Sequence, residues 1–225
     1  MPQFLILLLA IVLAGCGQKK VVVNHEPKVK GKSTSSVVAE KSSSSEKVAE
    51  SKPEEVESFT DSRDGKKYRT VKIGAQIWMA KNLNYNVGGS KCYDNKPANC
   101  DKYGRLYDWQ TAKKVCPKGW HLPNNDEWDE LYRFSDGTSG TESPYISKTA
   151  GKYLKAASGF SALLGGIGRY DDRFDNVGFD GFWWSADEYD HDSYAYNRHL
   201  INTENVASWS YNDKISLFSV RCLKN

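Results

Sequence analysis

Long apolar segments, metal-ligand motifs and blocks of basic residues are all scarce in this chain of 225 residues. The longest apolar run, residues 4–14, would form a helix of roughly 16 Å, whereas a membrane span needs about 30 Å. The four histidines occur without any CxxC or HExxH pattern, which argues against a zinc site. The formal net charge is +3. No lysine or arginine block follows residue 58, which argues against nucleic-acid binding.

The short apolar run is typical of the central region of a signal peptide, and we expect a signal peptide over residues 1–15. No Lys or Arg precedes the run. It ends in the sequence LAGC, which resembles the lipobox of bacterial lipoproteins. In that resemblance Cys16 becomes the first mature residue and carries acyl chains that together give stable anchoring. Gly17, in place of the aspartate that retains lipoproteins at the inner membrane, favours the outer membrane. The alternative is an ordinary signal peptide with an unmodified Cys16.

Aromatic residues are absent from residues 17–58, which are rich in Ser, Lys, Glu and Val. Such a composition cannot bury enough apolar surface to offset the loss of chain entropy on folding. We therefore expect residues 16–58 to be a disordered tether with a root-mean-square reach of roughly 35 Å. All seven Trp and all thirteen Tyr follow residue 58. Residues 59–225 are accordingly expected to form one globular domain.

Four cysteines remain after the lipobox, and an even number in an exported chain indicates disulfides. Three pairings are possible. Cys92 and Cys100 flank a short, turn-rich segment, and we expect them to pair. Cys116 would then bond to Cys222 and close a loop of about one hundred residues.

Two helices are predicted around the stretch VCPKGWHLPNNDEW. Residues 105–115 place Trp109, Ala112 and Val115 at helical spacing, and Pro117 ends this helix. The second helix is expected over residues 125–134, because an Asn and a Glu stand three residues apart before it, as in a capping box. Its core-facing residues are Trp128, Leu131 and Tyr132.

The same stretch also contains a histidine and two carboxylates, which raises the question of catalysis. Asp126 and Glu127 fall in the first turn of the predicted helix, where carboxylates favour the positive end of the helix dipole. This assigns them a structural role. A catalytic role for His121 is the alternative.

Alternating patterns and turn residues predict several strands. Residues 68–73 and 76–79 form a hairpin signal, and further strands are expected over residues 182–185, 194–201, 205–210 and 217–223. A short helix is expected over residues 151–157. The glycines between residues 165 and 181 lack the setting of a phosphate loop. We therefore predict an α+β fold with two helices packed against a twisted, mostly antiparallel sheet and with long loops.

Seven ordered motifs carry a family resemblance: DGKKYRTVKIG (64–74), IWMAKNLN (77–84), CYDN (92–95), YGRLY (103–107), CPKGWHLP (116–123), GFWWSA (181–186) and FSVRC (218–222). Together they resemble the Fibrobacter succinogenes major paralogous domain (FISUMP) over nearly all of residues 59–225. That family is similar to the C-type lectin-like and formylglycine-generating-enzyme folds. The resemblance implies a first helix disulfide-bonded to the terminal strand, domain ends that meet, and a cell-surface lipoprotein. It transfers no catalytic residues.

Aromatic and charged residues between positions 183 and 211 suit a sugar, because flat rings match its apolar faces and charged groups bind its hydroxyls. One ring of the Trp-Trp pair is expected in the core, since neighbours alternate along a strand. Other rings of this region would also serve as core if no ligand binds. The candidate ligand-binding residues are Trp183, Trp184, Asp187, Glu188, Tyr189, Arg198 and Trp209.

The sequence leaves three functional hypotheses open. The first is a surface-displayed, non-enzymatic binding or adhesion module for polysaccharide or for another surface protein. The second is an enzyme, either formylglycine-generating-like or a glycosidase that uses two of the carboxylates Asp171, Asp172, Asp187 and Glu188. The third is a structural envelope protein without a specific ligand. We expect no cofactor, although the acidic residues 187–192 offer oxygen ligands for calcium.

Overall fold

The computed structural model describes residues 58–137, 146–157, 159–190 and 192–225. The predicted signal peptide, the lipidated Cys16 and the tether up to residue 57 lie outside these residues. Within the described ranges, none of the helices has the length and hydropathy needed to cross a membrane.

Four α-helices and fourteen strands are present in the described residues. The helices are α1 (Pro97–Tyr103), α2 (Trp109–Val115), α3 (Asn125–Asp136) and α4 (Ala150–Lys155). The strands are β1 (Phe59–Thr60), β2 (Lys67–Tyr68), β3 (Thr70–Ile73), β4 (Gln76–Met79), β5 (Leu106–Tyr107), β6 (Trp120–His121), β7 (Ile146–Ser147), β8 (Ile167–Gly168), β9 (Phe174–Asp175), β10 (Asp180–Glu188), β11 (Tyr194–Ile201), β12 (Ala207–Asp213), β13 (Phe218–Ser219) and β14 (Leu223–Lys224).

Two sheets form the body of the domain. A six-stranded sheet has the order β5-β13-β10-β11-β12-β7, and a four-stranded sheet has the order β3-β4-β14-β6. Among the described strands, β10 and β13 pair in parallel and the other pairs are antiparallel. The predicted α+β class with a mostly antiparallel sheet is confirmed, as is the hairpin of β3 and β4.

Local sequence rules account for the starts of α2 and α3. In α3, the Asn124 side chain accepts the N–H of Glu127 at 2.9 Å, and the Glu127 carboxylate accepts the N–H of Asn124 at 2.8 Å. The predicted capping box is confirmed, and the helix runs two residues beyond the expected end. The carboxylate of Asp108 likewise accepts the N–H of Thr111 at 3.0 Å and starts α2.

The start of the first predicted helix needs correction, and α1 was not predicted. The first predicted helix begins at Trp109 instead of residue 105, because residues 106–107 form β5 and pair with β13. The turn-rich segment between Cys92 and Cys100 also contains the start of α1, with Pro97 at its first position, where a missing N–H costs no hydrogen bond.

The six-stranded sheet is covered on both faces, so both rings of the Trp-Trp pair on β10 are buried. Trp183 joins a core cluster with Trp128 and Leu131 of α3. Trp184 joins the opposite cluster with Trp109 of α2 and with Phe218. Both rings are at most 1% exposed. The expectation that only one of the two rings is buried is therefore wrong, because alternation sends each ring into a different core.

Both predicted disulfides are present. Cys92 bonds to Cys100 across 8 residues of sequence, and Cys116 bonds to Cys222 across 106 residues. The second bond joins the C-terminal end of α2 to the residue before β14. It therefore closes a loop that contains α3, α4 and strands β6 to β13.

A buried hydrogen-bond hub joins distant segments around Asn82. The side-chain oxygen of Asn82 accepts from the indole N–H of Trp183 at 2.9 Å and from Arg221 Nη2 at 2.8 Å. Its amide nitrogen donates to the carbonyls of Tyr103 at 2.8 Å and Leu163 at 3.0 Å. One amide side chain thus uses both its donors and its acceptor to hold four segments together.

The long-range disulfide should stabilise the domain more than the short-range one does. In the chain-entropy description, closing the longer loop contributes about 5 kcal/mol and the shorter loop about 2.5 kcal/mol. We predict that the double variant Cys116→Ala/Cys222→Ala loses about 2 kcal/mol more unfolding free energy than Cys92→Ala/Cys100→Ala. Equilibrium denaturation in urea measures both, and equal losses would contradict this entropic account.

Substitution Asn82→Ala should destabilise the fold by about 3 kcal/mol or more, because it removes the oxygen that accepts from both the buried indole N–H of Trp183 and the buried guanidinium of Arg221. The exposed Asn86 provides the control, and Asn86→Ala should change stability by about 0.5 kcal/mol at most. Thermal and urea unfolding of the two variants test the hub. Similar stabilities for both variants would show that it contributes little.

Candidate functional site

Five aromatic side chains form a continuous surface on one face of the six-stranded sheet. They come from the end of β10, from β11 and from β12, and we call them the aromatic platform: Tyr189, Tyr194, Tyr196, Trp209 and Tyr211. Tyr189, Tyr194 and Tyr211 are 40–45% exposed, and the other two are half-buried.

The rings of the platform contact one another in an unbroken series. Tyr189 stacks on Tyr211 with ring centroids 3.8 Å apart and planes 7° from parallel. Tyr196 meets Trp209 edge to face at 5.2 Å and meets Tyr189 at 5.3 Å. Tyr194 packs edge to face against Tyr211 at 5.8 Å. Such pairs hold each ring in a fixed orientation.

Strand alternation and the start of α3 explain why these rings are accessible. Leu200, Arg198, Tyr196 and Tyr194 are alternate residues of β11 and share one face of the sheet. Leu200 lies in the core cluster under α3, whereas Tyr194 is exposed. Because α3 begins at Asn125, beside Arg198, the face is covered up to Arg198 and open beyond it.

A buried ion pair marks the border between the covered and open parts of this face. Arg198 is 2% exposed, and its Nη2 lies 3.1 Å from the Asp129 carboxylate in α3. Its Nη1 donates to the side-chain oxygen of Asn125 at 3.0 Å. Because a buried charge is costly unless paired, this contact fixes the position of α3 over the sheet.

Carboxylates lie beside the platform. Asp187 accepts the N–H of Asn125 at 2.6 Å, at the N-terminus of α3. Asp190 accepts the N–H groups of Tyr194 and Ser193, each at 2.8 Å, and so orders the turn between β10 and β11. These two backbone hydrogen bonds lower the pKa of the Asp190 carboxyl. The neighbouring phenol of Tyr211 raises the pKa of Tyr189.

The structure separates the predicted ligand-binding residues into two groups. Tyr189 and Trp209 belong to the platform, and Asp187 lies beside it. Trp183, Trp184 and Arg198 are buried in the core or in the ion pair and are not part of the exposed surface.

Glu188 points to the other face of the sheet. Its carboxylate oxygens lie 3.9 Å from Lys113 Nζ and 3.7 Å from Lys214 Nζ. It is therefore not part of the platform.

Tyr194, Tyr196 and Tyr211 belong to the aromatic region 183–211 that suits a sugar, but they were not selected as candidate binding residues. The period-two pattern of residues 194–201 places Tyr194 and Tyr196 on the face of Arg198 and could have identified them. Their exposure depends on how far α3 extends over the sheet. That extent is set by the tertiary structure and not by the local sequence.

His121 has no free ring nitrogen. Its Nε2 lies 2.8 Å from a Glu127 carboxylate oxygen, and its Nδ1 lies 2.7 Å from the side-chain oxygen of Asn225. These contacts tie β6 to α3 and to the C-terminal residue. They supply a structural role for the histidine.

The carboxylates of the glycosidase hypothesis fall at different places. Asp171 and Asp172 lie in the turn between β8 and β9, where an arginine and a lysine pair with them. Asp187 and Glu188 point to opposite faces of β10. Within the part of the chain that the structure describes, no three His, Cys, Asp or Glu side chains are arranged to hold a metal ion.

A family model, the Fibrobacter succinogenes major domain, matches residues 71–224 of the chain. The chain belongs to the Fibrobacter succinogenes major domain family. The resemblance seen in the seven motifs is thereby confirmed. A search of curated proteins found no match, and a search of solved structures found none either.

Three of the motifs that resemble this family contribute residues that hold the domain together. IWMAKNLN contains Asn82, GFWWSA contains both buried tryptophans, and FSVRC contains Arg221 and Cys222. The aromatic platform lies between the last two motifs. The platform therefore has to be explained by its own geometry.

We predict that Asp190→Ala weakens the near-ultraviolet circular dichroism of the stacked tyrosines, because it removes the acceptor that orders their turn. The wild-type signal should also depend on acid. Since the folded-state pKa of Asp190 lies below the ordinary value of 3.8, its contribution is complete above that value and is lost as the pH falls through the lowered pKa.

Asp192→Ala is the matched control, since it removes an exposed carboxylate from the same turn. It should keep both the signal and its acid transition. An unchanged spectrum and acid transition in Asp190→Ala would contradict the role given to this carboxylate.

Proposed function

We propose that the chain is a surface-displayed lipoprotein whose domain binds polysaccharide without chemical turnover. Acyl chains on Cys16 would anchor it in the outer membrane, and residues 16–58 would act as a tether. The LAGC sequence and the polar, aromatic-free composition of residues 17–58 support this part of the proposal.

The aromatic platform is the observation that carries the proposal. Three tyrosines that are 40–45% exposed lie side by side with two half-buried rings, which is an unusual use of apolar surface in a domain with a well-filled core. Aromatic faces match the apolar C–H faces of sugar rings, and nearby carboxylates accept hydrogen bonds from hydroxyl groups. Asp187 and Asp190 supply such acceptors beside the rings.

The rigidity of the platform also favours binding. Each ring contacts another ring of the set, the turn is ordered by Asp190, and the sheet behind it is fixed to α3 by the Arg198–Asp129 pair. A surface that is already ordered loses little conformational entropy when a ligand binds. Tyrosine and tryptophan have only two side-chain torsions, which lowers this cost further.

We further propose that the domain has a C-type lectin-like fold. The disulfide from the end of α2 to Cys222 supports this assignment. The meeting of the domain ends supports it as well, because Phe59 stacks on Trp120 at 4.6 Å and Lys224 pairs with Trp120. The enzyme hypothesis has less support, since its carboxylates point to separate surfaces.

Binding of the full chain in detergent to cellulose, xylan, mannan and a glycan array tests the proposed function. We predict that Trp209→Ala and Tyr211→Ala each weaken polysaccharide binding about tenfold, the size expected for a lost ring contact. Tyr170→Ala is the matched control. This tyrosine is 73% exposed but lies in the turn after β8, so its loss should leave binding unchanged.

The alternatives give different results in the same experiment. Retention on no glycan would refute polysaccharide binding and would favour a protein ligand. Release of sugar products would favour an enzyme. Equal losses in the platform variants and in Tyr170→Ala would mean that the platform is not the binding surface.

A further inference from the structure

A second concave site lies away from the platform rings, between β2, the segment after β4 and the end of α1. It has a volume of about 220 Å³. Four of its described lining residues are lysines: Lys66, Lys67, Lys81 and Lys102. Asp101 is the one carboxylate among its lining residues. We call this site the lysine cleft.

Most of the positive charge in the lysine cleft is not neutralised. Lys66 pairs with Asp64 at 2.9 Å and donates to the Asn84 carbonyl at 2.6 Å. Lys67, Lys81 and Lys102 have no carboxylate partner within ion-pair distance in the described residues. Several like charges around one concavity repel one another and raise the local potential, which favours an anion.

A buried cation adds to this potential from behind the wall of the cleft. Asn82 lines the cleft and accepts hydrogen bonds from Arg221 Nη2 and Nε, at 2.8 and 3.1 Å. Arg221 is fully buried, and its described partners are neutral oxygens instead of a carboxylate. Its charge is poorly screened in this setting and acts toward the cleft.

The cleft also offers a hydroxyl donor. Tyr68 lines it and is 3% exposed. Its hydroxyl oxygen accepts the N–H of Asn84 at 3.0 Å, and no described residue accepts the hydroxyl proton. A ligand oxygen in the cleft would satisfy this donor.

We propose that the lysine cleft binds the oxyanion group of a small acidic ligand. The carboxylate of a sugar acid is the favoured case, and this choice of ligand rests on the proposed polysaccharide binding. Lys67 and Lys81 would contact the anion directly, and Lys102 would contribute long-range attraction. The volume is well above the ~15 Å³ that a site for one water molecule has on the same measure, so it has room for part of the ring as well as the charged group. The site does not depend on the platform.

Chemical-shift titration of the full chain with galacturonate, and with neutral galactose as the reference, tests this assignment. Wild-type protein should bind galacturonate and not galactose. Lys67→Gln/Lys81→Gln should weaken galacturonate binding at least about tenfold, because it removes two charge-assisted hydrogen bonds to the carboxylate. Both lysines are exposed, so the variant should fold.

Lys72→Gln/Lys118→Gln is the matched control. It removes the same net charge from exposed positions outside the cleft and should bind like wild type. Equal weakening in the two double variants would overturn the site in favour of general charge attraction, and so would equal binding of galactose. Sulfate and phosphate arms identify the oxyanion, and a preference for either over galacturonate would overturn the sugar-acid assignment. Trp209→Ala should keep the cleft intact, so failure of the platform does not affect this result.

Discussion

The buried charge of Arg221 constrains much of the domain. Its guanidinium is 0% exposed, and burial lowers its pKa to about 9. A cation in the interior must be surrounded by hydrogen-bond acceptors, because its desolvation is otherwise too costly. The acceptors are Asn82 Oδ1 and the carbonyls of Met79, Phe160 and Ser161. These come from two separate parts of the chain, residues 79–82 and 160–161, so the fold must bring both parts to Arg221 before the charge can be buried.

The hydrogen bonds of Asn82 connect Arg221 to other parts of the domain. Asn82 follows the four-stranded sheet and Trp183 lies in the six-stranded sheet, so their hydrogen bond links the two sheets directly. The neighbouring Cys222 carries the same connection to α2 through its disulfide with Cys116. Consecutive residues of FSVRC therefore hold both the charge and the crosslink. This explains why the motifs that resemble the family are structural in this chain.

Features set by nearby residues could be predicted from the sequence, and features set by packing could not. The capping box of Asn124 and Glu127 depends on three residues of spacing, and its prediction was confirmed. The burial of both Trp183 and Trp184 depends on layers covering both faces of one sheet, which no local pattern reveals. The lysine cleft could not be predicted from the sequence either, because its lysines belong to three segments that only the tertiary fold brings together. The disulfide pairing could be predicted because four cysteines allow only three pairings.

The position of α3 connects the frame to the proposed binding surface. Its first residue, Asn125, contacts both Arg198 and Asp187, so the helix starts where the sheet face changes from core to platform. A helix one turn longer at this end would extend about 5.4 Å over the rings and would cover part of them. The cap at Asn124 therefore does more than start a helix, since it sets how much aromatic surface stays open. Because Asn82 and Arg221 lie outside the platform, its rings can change without disturbing the hub. A frame of this kind permits different ligand-binding surfaces on one fold.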